Sequence, residues 1–545
     1  MKPLRIRDII GPIMVGPSSS HTAGALRIAF MAKRLFQKKP AEVEFLLYGS
    51  FAHTYQGHGT DRALVGGILG FDTDDLRIRD SLELAREAGI EIIFTPRPND
   101  DFDHPNTVDI ILRDDEGNTM CVQGESIGGG SAVLRQIDGI DVYITGEHNS
   151  LIVIQHDEKG VLAHIATVIS EHDVNIATTR VYREHRGERA YTIIEADETL
   201  SDELRHKIGE HPAIAEVRII PADGIGINPP SAEPSDLDFE RFEALDFPSG
   251  EALLSYCTVH NCLISDAFFE REKALARTFG RETTVVEYLD NVLAVMRDST
   301  HRPASEAHSS LGGLIGGESS KLKDAKTQGL GILDSEMATL TRYAMAVLET
   351  NSSMGQIVAA PTAGSSGVIP ATLLMLQEYR GYGDEDIKRA LITTAAIGYL
   401  ITRNATVSGA EGGCQAEIGS AAAMAAAAAV ELAGGTPAQS LAAASNALTN
   451  MMGLVCDPIG GLVEAPCQKR NASGAATALV SAEIALASIT NLVNFDETVE
   501  AMYKVGRSLP FELRETGLGG IAAAPSAKSY CGSCSACSNL VNLQQ

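Results

Sequence analysis

The sequence predicts a multidomain protein with an α+β N-terminal domain, a ferredoxin-like βαββαβ middle domain and a mostly α-helical C-terminal domain. Three observations carry that expectation. Residues 1–148 mix apolar strand-like runs with helical periodicity, and residues 149–220 run strand–helix–strand–strand–helix–strand. Beyond a Pro-, Gly- and Ser-rich stretch the chain shows long helical patterns with little strand signal. At 545 residues it is also too long for one core.

In the first domain, residues 43–47, 108–112 and 142–145 read as strands and residues 23–36 and 81–88 as helices. The middle domain opens with the apolar run NSLIVIQH at 149–156, turns through DEKG, and continues as a helix over 162–171. Alternating segments at 176–182 and 190–196, a helix at 201–210 and a strand at 214–220 complete it. PADGIGINPPSAEPSD forms the linker, assigned to 221–236. The third domain, 237–519, has helical patterns at 251–277, 334–349, 386–401 and 419–432. Its alanine run at 421–429 combines strong helix propensity with little bulk, so neighbouring helices can approach closely. Residues 520–545 form a cysteine-containing tail.

Composition narrows the function. A net charge of −27 argues against nucleic-acid or anionic-membrane partners, both of which need a basic footprint. The N-terminal MKPLRIRDIIGP is not followed by a long apolar region, and no window reaches the length of a membrane span. Nine cysteines, an odd number, fit a reducing compartment rather than a disulfide scaffold. The expectation is a cytoplasmic protein.

Cys414, Cys456 and Cys467 stand singly in GGCQAE, LVCDPIG and EAPCQKRNA, and Cys531, Cys534 and Cys537 follow near the end. Thiolates select soft metals, and sulfur sets suit zinc or an iron–sulfur cluster. A single cysteine is also a common core residue. Here each lies where the backbone turns and polar residues gather. AAPTAGSSGVIP at 359–370 places Thr362, Ser365 and Ser366 on a turn before a helix, a setting that holds a carboxylate or phosphate or merely caps the helix. It lacks the order and the lysine of a P-loop. GPSSSHT at 16–22 repeats the pattern with Ser18, Ser19 and His21, while His58 lies in GHGTD and His104 in HPNT.

These motifs carry a resemblance. GPSSSHT, GHGTD at 57–61, HPNT at 104–107 and SIGGG at 126–130 resemble the β part of the iron–sulfur L-serine dehydratases. AAPTAGSSGVIP, SGAEGGCQAEIGSA at 408–421 and CDPIGGLVEAPCQKRNA at 456–472 resemble the catalytic α part. DEKGVLAHIATVISEHDVNI at 157–176 is similar to an ACT domain, a regulatory module that often binds an amino acid. The alternative for this segment is a spacer that supports dimerisation. Together the resemblance covers nearly the whole chain, fused in the order β, ACT, α.

The resemblance implies conversion of L-serine to pyruvate and ammonia with a 4Fe-4S cluster and no pyridoxal phosphate. It implies Cys414, Cys456 and Cys467 as ligands, with one iron open to act as a Lewis acid toward the serine hydroxyl. A histidine near neutral pKa then removes the α-proton, with His58 first among His58, His21 and His104. Ser18, Ser19, Thr362, Ser365, Ser366 and Lys469 are the expected substrate contacts, with Arg470 beside Lys469 as a further source of positive charge. Some members close the chain with a cysteine that reaches the fourth iron. Here Cys531, Cys534 or Cys537 is the expected resting-state ligand, although the chain continues past them. An amino-acid effector is expected at Asp157, Gly160 and Asn175, and a homodimer is the ordinary assembly. Competing readings are a cluster-dependent hydro-lyase acting on a small hydroxy acid and a non-catalytic amino-acid sensor.

Overall fold

The computed structural model describes residues 3–146, 148–183, 185–196, 198–221, 234–280 and 284–531. The linker at 221–236 falls mostly outside these residues. So do Cys534 and Cys537. Cys531 ends the last helix, Pro525–Cys531.

The first part is built on a six-stranded sheet in the order Glu91–Arg97, Glu42–Tyr48, Thr107–Arg113, Thr119–Gly128, Ser131–Ile137, Ile140–Ile144. Only the first pair is parallel, joined by a helical crossover; strand Thr107–Arg113 then returns to the other side of Glu42–Tyr48, antiparallel to it, and the remaining pairs are hairpin neighbours. Helices Ala25–Phe36 and Thr60–Leu69 pack on this sheet and on each other. Their close approach depends on Gly67, where an added Cβ would meet the Leu26 carbonyl oxygen and lie 2.8 Å from the Ala29 methyl.

The middle part is a four-stranded antiparallel sheet ordered Ile214–Ile220, Asn149–His156, Arg189–Ala196, Ile176–Arg183, with helices Val161–Glu171 and Asp202–Gly209 on one face. This is the ferredoxin-like arrangement expected. Its other face is also covered. Ile152, Ile154, Tyr191, Ile193 and Ile220 share a core with the first part. Burial on both faces explains why strand Asn149–His156 is a continuous apolar run rather than an alternating one.

The third part is helical. Helix Ser420–Leu432 is buried from Ser420 through Val430, with helices Asp384–Asn404, Pro437–Met451 and Cys467–Leu486 around it. Alanine at nearly every position is what lets three neighbours close on it. The helical pattern read across 251–277 is two helices, Gly250–His260 and Ile264–Phe279, because Asn261 takes a left-handed conformation between them. Among the described residues no helix is long and apolar enough to cross a membrane.

The start of the chain belongs physically to this helical part. Ile6, Ile9 and Ile10 lie in its core, the Leu4 carbonyl accepts from buried Arg271 at 2.9 Å, and Glu272 accepts from the Ile6 amide at 3.2 Å. Strand Ile13–Val15 then pairs antiparallel with Gln356–Val358, Met14 opposite Ile357. That two-stranded ladder brings the GPSSSHT loop to the APTAGSS loop.

Gly67→Ala is expected to lower stability by about 1–3 kcal/mol, because two helices must separate to admit the methyl. Gly66→Ala, whose nearest neighbour is a side-chain atom at 3.3 Å, is the milder control. Thermal melting of both variants checks this.

Candidate functional site

Cys414 follows a short helix, Gly409–Gly412, and precedes the wide turn Gln415–Gly419 that leads into the alanine helix. Gly413 just before it has φ +75, and a Cβ there would lie 3.0 Å from the Leu454 carbonyl oxygen. Cys456 sits in an extended segment, its amide donating to Leu513 at 2.9 Å and its carbonyl accepting from Glu515 at 2.8 Å. Cys467 begins helix Cys467–Leu486. All three thiols are buried.

The donor atoms of Cys414, Glu417 and Cys456 lie within 4.8 Å of one another, a group that could hold a metal ion. Cys456 is pushed well above the ordinary thiol range by its hydrogen bond with Cys414 and by burial. Burial, and then the charge of Cys414, does the same to Cys467. Neutral buried thiols that lose protons when a cation arrives are a donor set suited to a soft metal. Arg470 faces them, donating to Cys414 Sγ at 3.6 Å, to the Val455 carbonyl at 2.9 Å and to Asp457 at 2.7 Å. Two carboxyls share the region. Burial raises Glu417, and burial together with Glu417's charge pushes Glu515 up to about 8.

Thr362 connects the hydroxyl loop to this group by donating to Glu417 at 2.8 Å. Asn471 ties the same loop to Cys467, accepting from the Gly367 amide at 2.9 Å and donating to the Gly364 and Cys467 carbonyls. Glu464 pins a further loop, accepting from Ser310 Oγ, the Gly312 amide and the Leu314 amide.

The first part supplies histidines. Ser18 caps the wide helical turn Ser19–Gly24 by accepting from the His21 amide. His21 Nδ1 lies 3.3 Å from Ser18 Oγ and 3.1 Å from Ser20 Oγ, while Nε2 lies 2.8 Å from Ser50 Oγ. Thr22 donates to the His58 carbonyl at 2.8 Å, and the two imidazoles stand 4.4 Å apart. His58 is 2% exposed, and neither ring nitrogen makes a well-formed hydrogen bond among the described residues. Burial lowers it to about 4, against an opposing contribution from the Gly461 backbone. Gly461 lies in the segment between Cys456 and Cys467, so the histidine loop and the cysteine loop are in contact.

Ser18, His21, His58, Thr362 and the three cysteines are thus brought to one region, with Cys467 beside the close group of Cys414, Glu417 and Cys456 rather than within it. Other expected residues stand differently. The Ser366 hydroxyl donates to Ala363 and that of Ser365 to the Ala360 and Thr362 carbonyls, so both shape the loop. Lys469 is exposed, whereas its neighbour Arg470 turns toward the thiols. Ser19 is half-buried at the start of its turn. His104 is half-buried and accepts from the Asn106 amide, one residue from the Pro105 carbonyl that receives the Ser50 amide. In the middle part Asp157 accepts from Arg183 and from the Gly187 amide. Gly160 opens helix Val161–Glu171, and Asn175 is exposed, its amide donating to Glu198. Sequence reasoning missed Glu417, Ser50, Glu464 and Asn351. Glu417 lies three residues after Cys414 and Glu464 three residues before Cys467, each inside its cysteine's own motif, a legible signal; Ser50 and Asn351 stand outside any pattern of spacing.

Comparison with known proteins gives three family matches: serine dehydratase beta chain over residues 7–136, ACT domain over 149–208 and serine dehydratase alpha chain over 230–522. The probable L-serine dehydratase alpha chain of Bacillus subtilis is 43% identical over 282 residues, covering 52% of this chain and 93% of that one. The L-serine dehydratase beta chain of Peptoniphilus asaccharolyticus is 42% identical over 201 residues, 37% of this chain and 90% of its own length. The L-serine dehydratase of Streptomyces coelicolor is 30% identical over 523 residues, 94% of this chain and 96% of that one. With separate alpha and beta relatives each matched along nine-tenths of their length, and the motifs of both meeting at one buried cluster of thiols, the chain belongs to the serine dehydratase family and carries its beta, ACT and alpha regions in one polypeptide.

Proposed function

We propose that this chain deaminates L-serine to pyruvate and ammonia by β-elimination. The observation that supports this most is the meeting of the cysteine loops with a buried histidine from the N-terminal part of the chain. Cys414, Cys456 and Cys467 are the proposed ligands of a 4Fe-4S cluster. When bound, the cluster would supply Lewis acidity toward the departing hydroxyl. Arg470 offsets part of the negative charge that three thiolates bring into a buried region.

His58 is the proposed base. Its depressed pKa keeps the imidazole neutral at pH 7, with a nitrogen free to accept the α-proton. A substrate carboxylate beside it raises that pKa and so strengthens the base once serine is bound. His21, engaged with Ser18, Ser20 and Ser50, positions the loop and its neighbour. Ser18, Ser19 and Thr362 are the proposed contacts for the substrate carboxylate, with Ser365 and Ser366 holding the shape of the loop. Loss of the α-proton and of the β-hydroxyl leaves an enamine, which tautomerises to an imine and is hydrolysed to pyruvate and ammonia. The ACT region, through the turn that includes Asp157 and Gly160 and the segment at Asn175, is proposed to bind a small amino-acid effector. A cytoplasmic homodimer is the proposed form, and Cys531, Cys534 or Cys537 the proposed resting ligand.

Anaerobic protein is expected to hold close to four irons per chain and to release pyruvate from L-serine. Cys414→Ser, Cys456→Ser and Cys467→Ser should each lose both. Iron-loaded protein inert toward serine would refute the proposal. His58→Gln should keep its iron while kcat falls about 10²–10⁴-fold.

Stability should also carry a histidine signature. The folded pKa of His58, about 4, lies below its ordinary value of 6.5, so the unfolded chain binds the extra proton between those values. Stability therefore falls as pH drops from 6.5 to 4 and levels off below, by about 3 kcal/mol for the full shift. His21 is lowered in the same direction. Denaturant titrations across that window should show a shallower slope in His58→Gln than in the parent.

A further inference from the structure

Asn351 ends a chain of contacts that no motif announces. It lies at the C-terminal end of helix Ser335–Ser352 with no exposed surface. Its Nδ2 donates to the Pro17 carbonyl at 3.3 Å and to the Ala363 carbonyl at 3.0 Å. Pro17 immediately precedes Ser18, and Ala363 immediately follows Thr362. One side chain therefore holds together the two hydroxyl loops, which are far apart in the sequence. Two carbonyl acceptors on the same side fix the orientation of the amide, since a flipped group would set oxygen against oxygen. That leaves Oδ1 buried without a partner among the described residues. A buried acceptor left unpaired is costly, so its retention at a proposed substrate site points to a donor that arrives with the ligand.

We propose that Asn351 is a specificity residue that accepts a hydrogen bond from the α-ammonium group of the amino-acid substrate; this rests on the serine reading above. An ammonium group offers only donors, which matches a lone amide oxygen beside two loops that supply hydroxyls to the carboxylate. The arrangement selects amino acids over carboxylic acids of the same shape, because a ligand lacking the amine leaves Oδ1 unpaired. The Nδ2 contacts have a separate duty, fixing the spacing of the loops.

The test compares L-serine with 3-hydroxypropionate, which is serine without its amine, as substrate and competitive inhibitor of the iron-loaded full chain. In Asn351→Ala the KM for serine should rise about tenfold or more while the inhibition constant of 3-hydroxypropionate changes less than about twofold. Asn351→Asp keeps an acceptor but loses the donor. It should retain the preference for serine even if its melting temperature drops, and it serves if the alanine variant fails to fold. Equal shifts for both ligands in Asn351→Ala, or lost preference in Asn351→Asp, would overturn the proposal and leave Asn351 as a strut. A parent enzyme that is iron-loaded yet inert toward serine would instead overturn the functional reading beneath it.

Discussion

Removal of ionisable groups from water is the constraint on which the rest of this structure depends. Three thiols, the carboxyls of Glu417 and Glu515 and the guanidinium of Arg470 share one region; burial raises Cys467 and both carboxyls above their ordinary values, and the hydrogen bond with Cys414 together with burial raises Cys456. Such a set is tolerated only where each group has a partner, so the surroundings are dense with side-chain-to-backbone hydrogen bonds. Asn471, Glu464, Thr362 and Asp457 each bind a loop that carries or abuts a cysteine, and Asp457 also receives the Ile521 amide from the segment that leads to the tail. The loops are irregular because they serve these groups. The helices behind them are regular because alanine packing asks nothing more.

Much of the fold was legible because it follows periodicity. The βαββαβ order of the middle part stood in the alternation of apolar residues, and the alanine helix stood in its composition. What the pattern could not convey was where faces meet. Strand Asn149–His156 carries the unbroken apolar run Leu151–Ile154 because its outer face is covered as well, and the run alone does not say that the first part of the chain supplies the cover. The division at Asn261 escaped because the helical periodicity continues across a single left-handed residue.

The candidate site was legible to the extent that chemistry clusters along the chain. Cysteines among glycines and prolines, and a histidine between two glycines, mark places where backbone and side chain are arranged for something other than packing. Partners lying on regular elements were invisible. Asn351 is one polar residue on a long helix, and Ser50 an ordinary serine following a strand; only the folded contacts distinguish them. The neighbours Lys469 and Arg470 show the opposite limit. Both are cations beside Cys467, and helix geometry alone decides that one faces water and the other the thiols.

The ladder between Ile13–Val15 and Gln356–Val358 has a consequence for how the site responds to dilution. Its two strands lie on opposite sides of the ACT region, and their pairing sets the histidine loop against the cysteine loops. Were the halves separate molecules, each dilution would drain that pairing by mass action. Tethered through one backbone, the strands meet at an effective concentration fixed by the connecting chain, whatever the abundance of the protein. Fusion thus makes the integrity of the site independent of copy number.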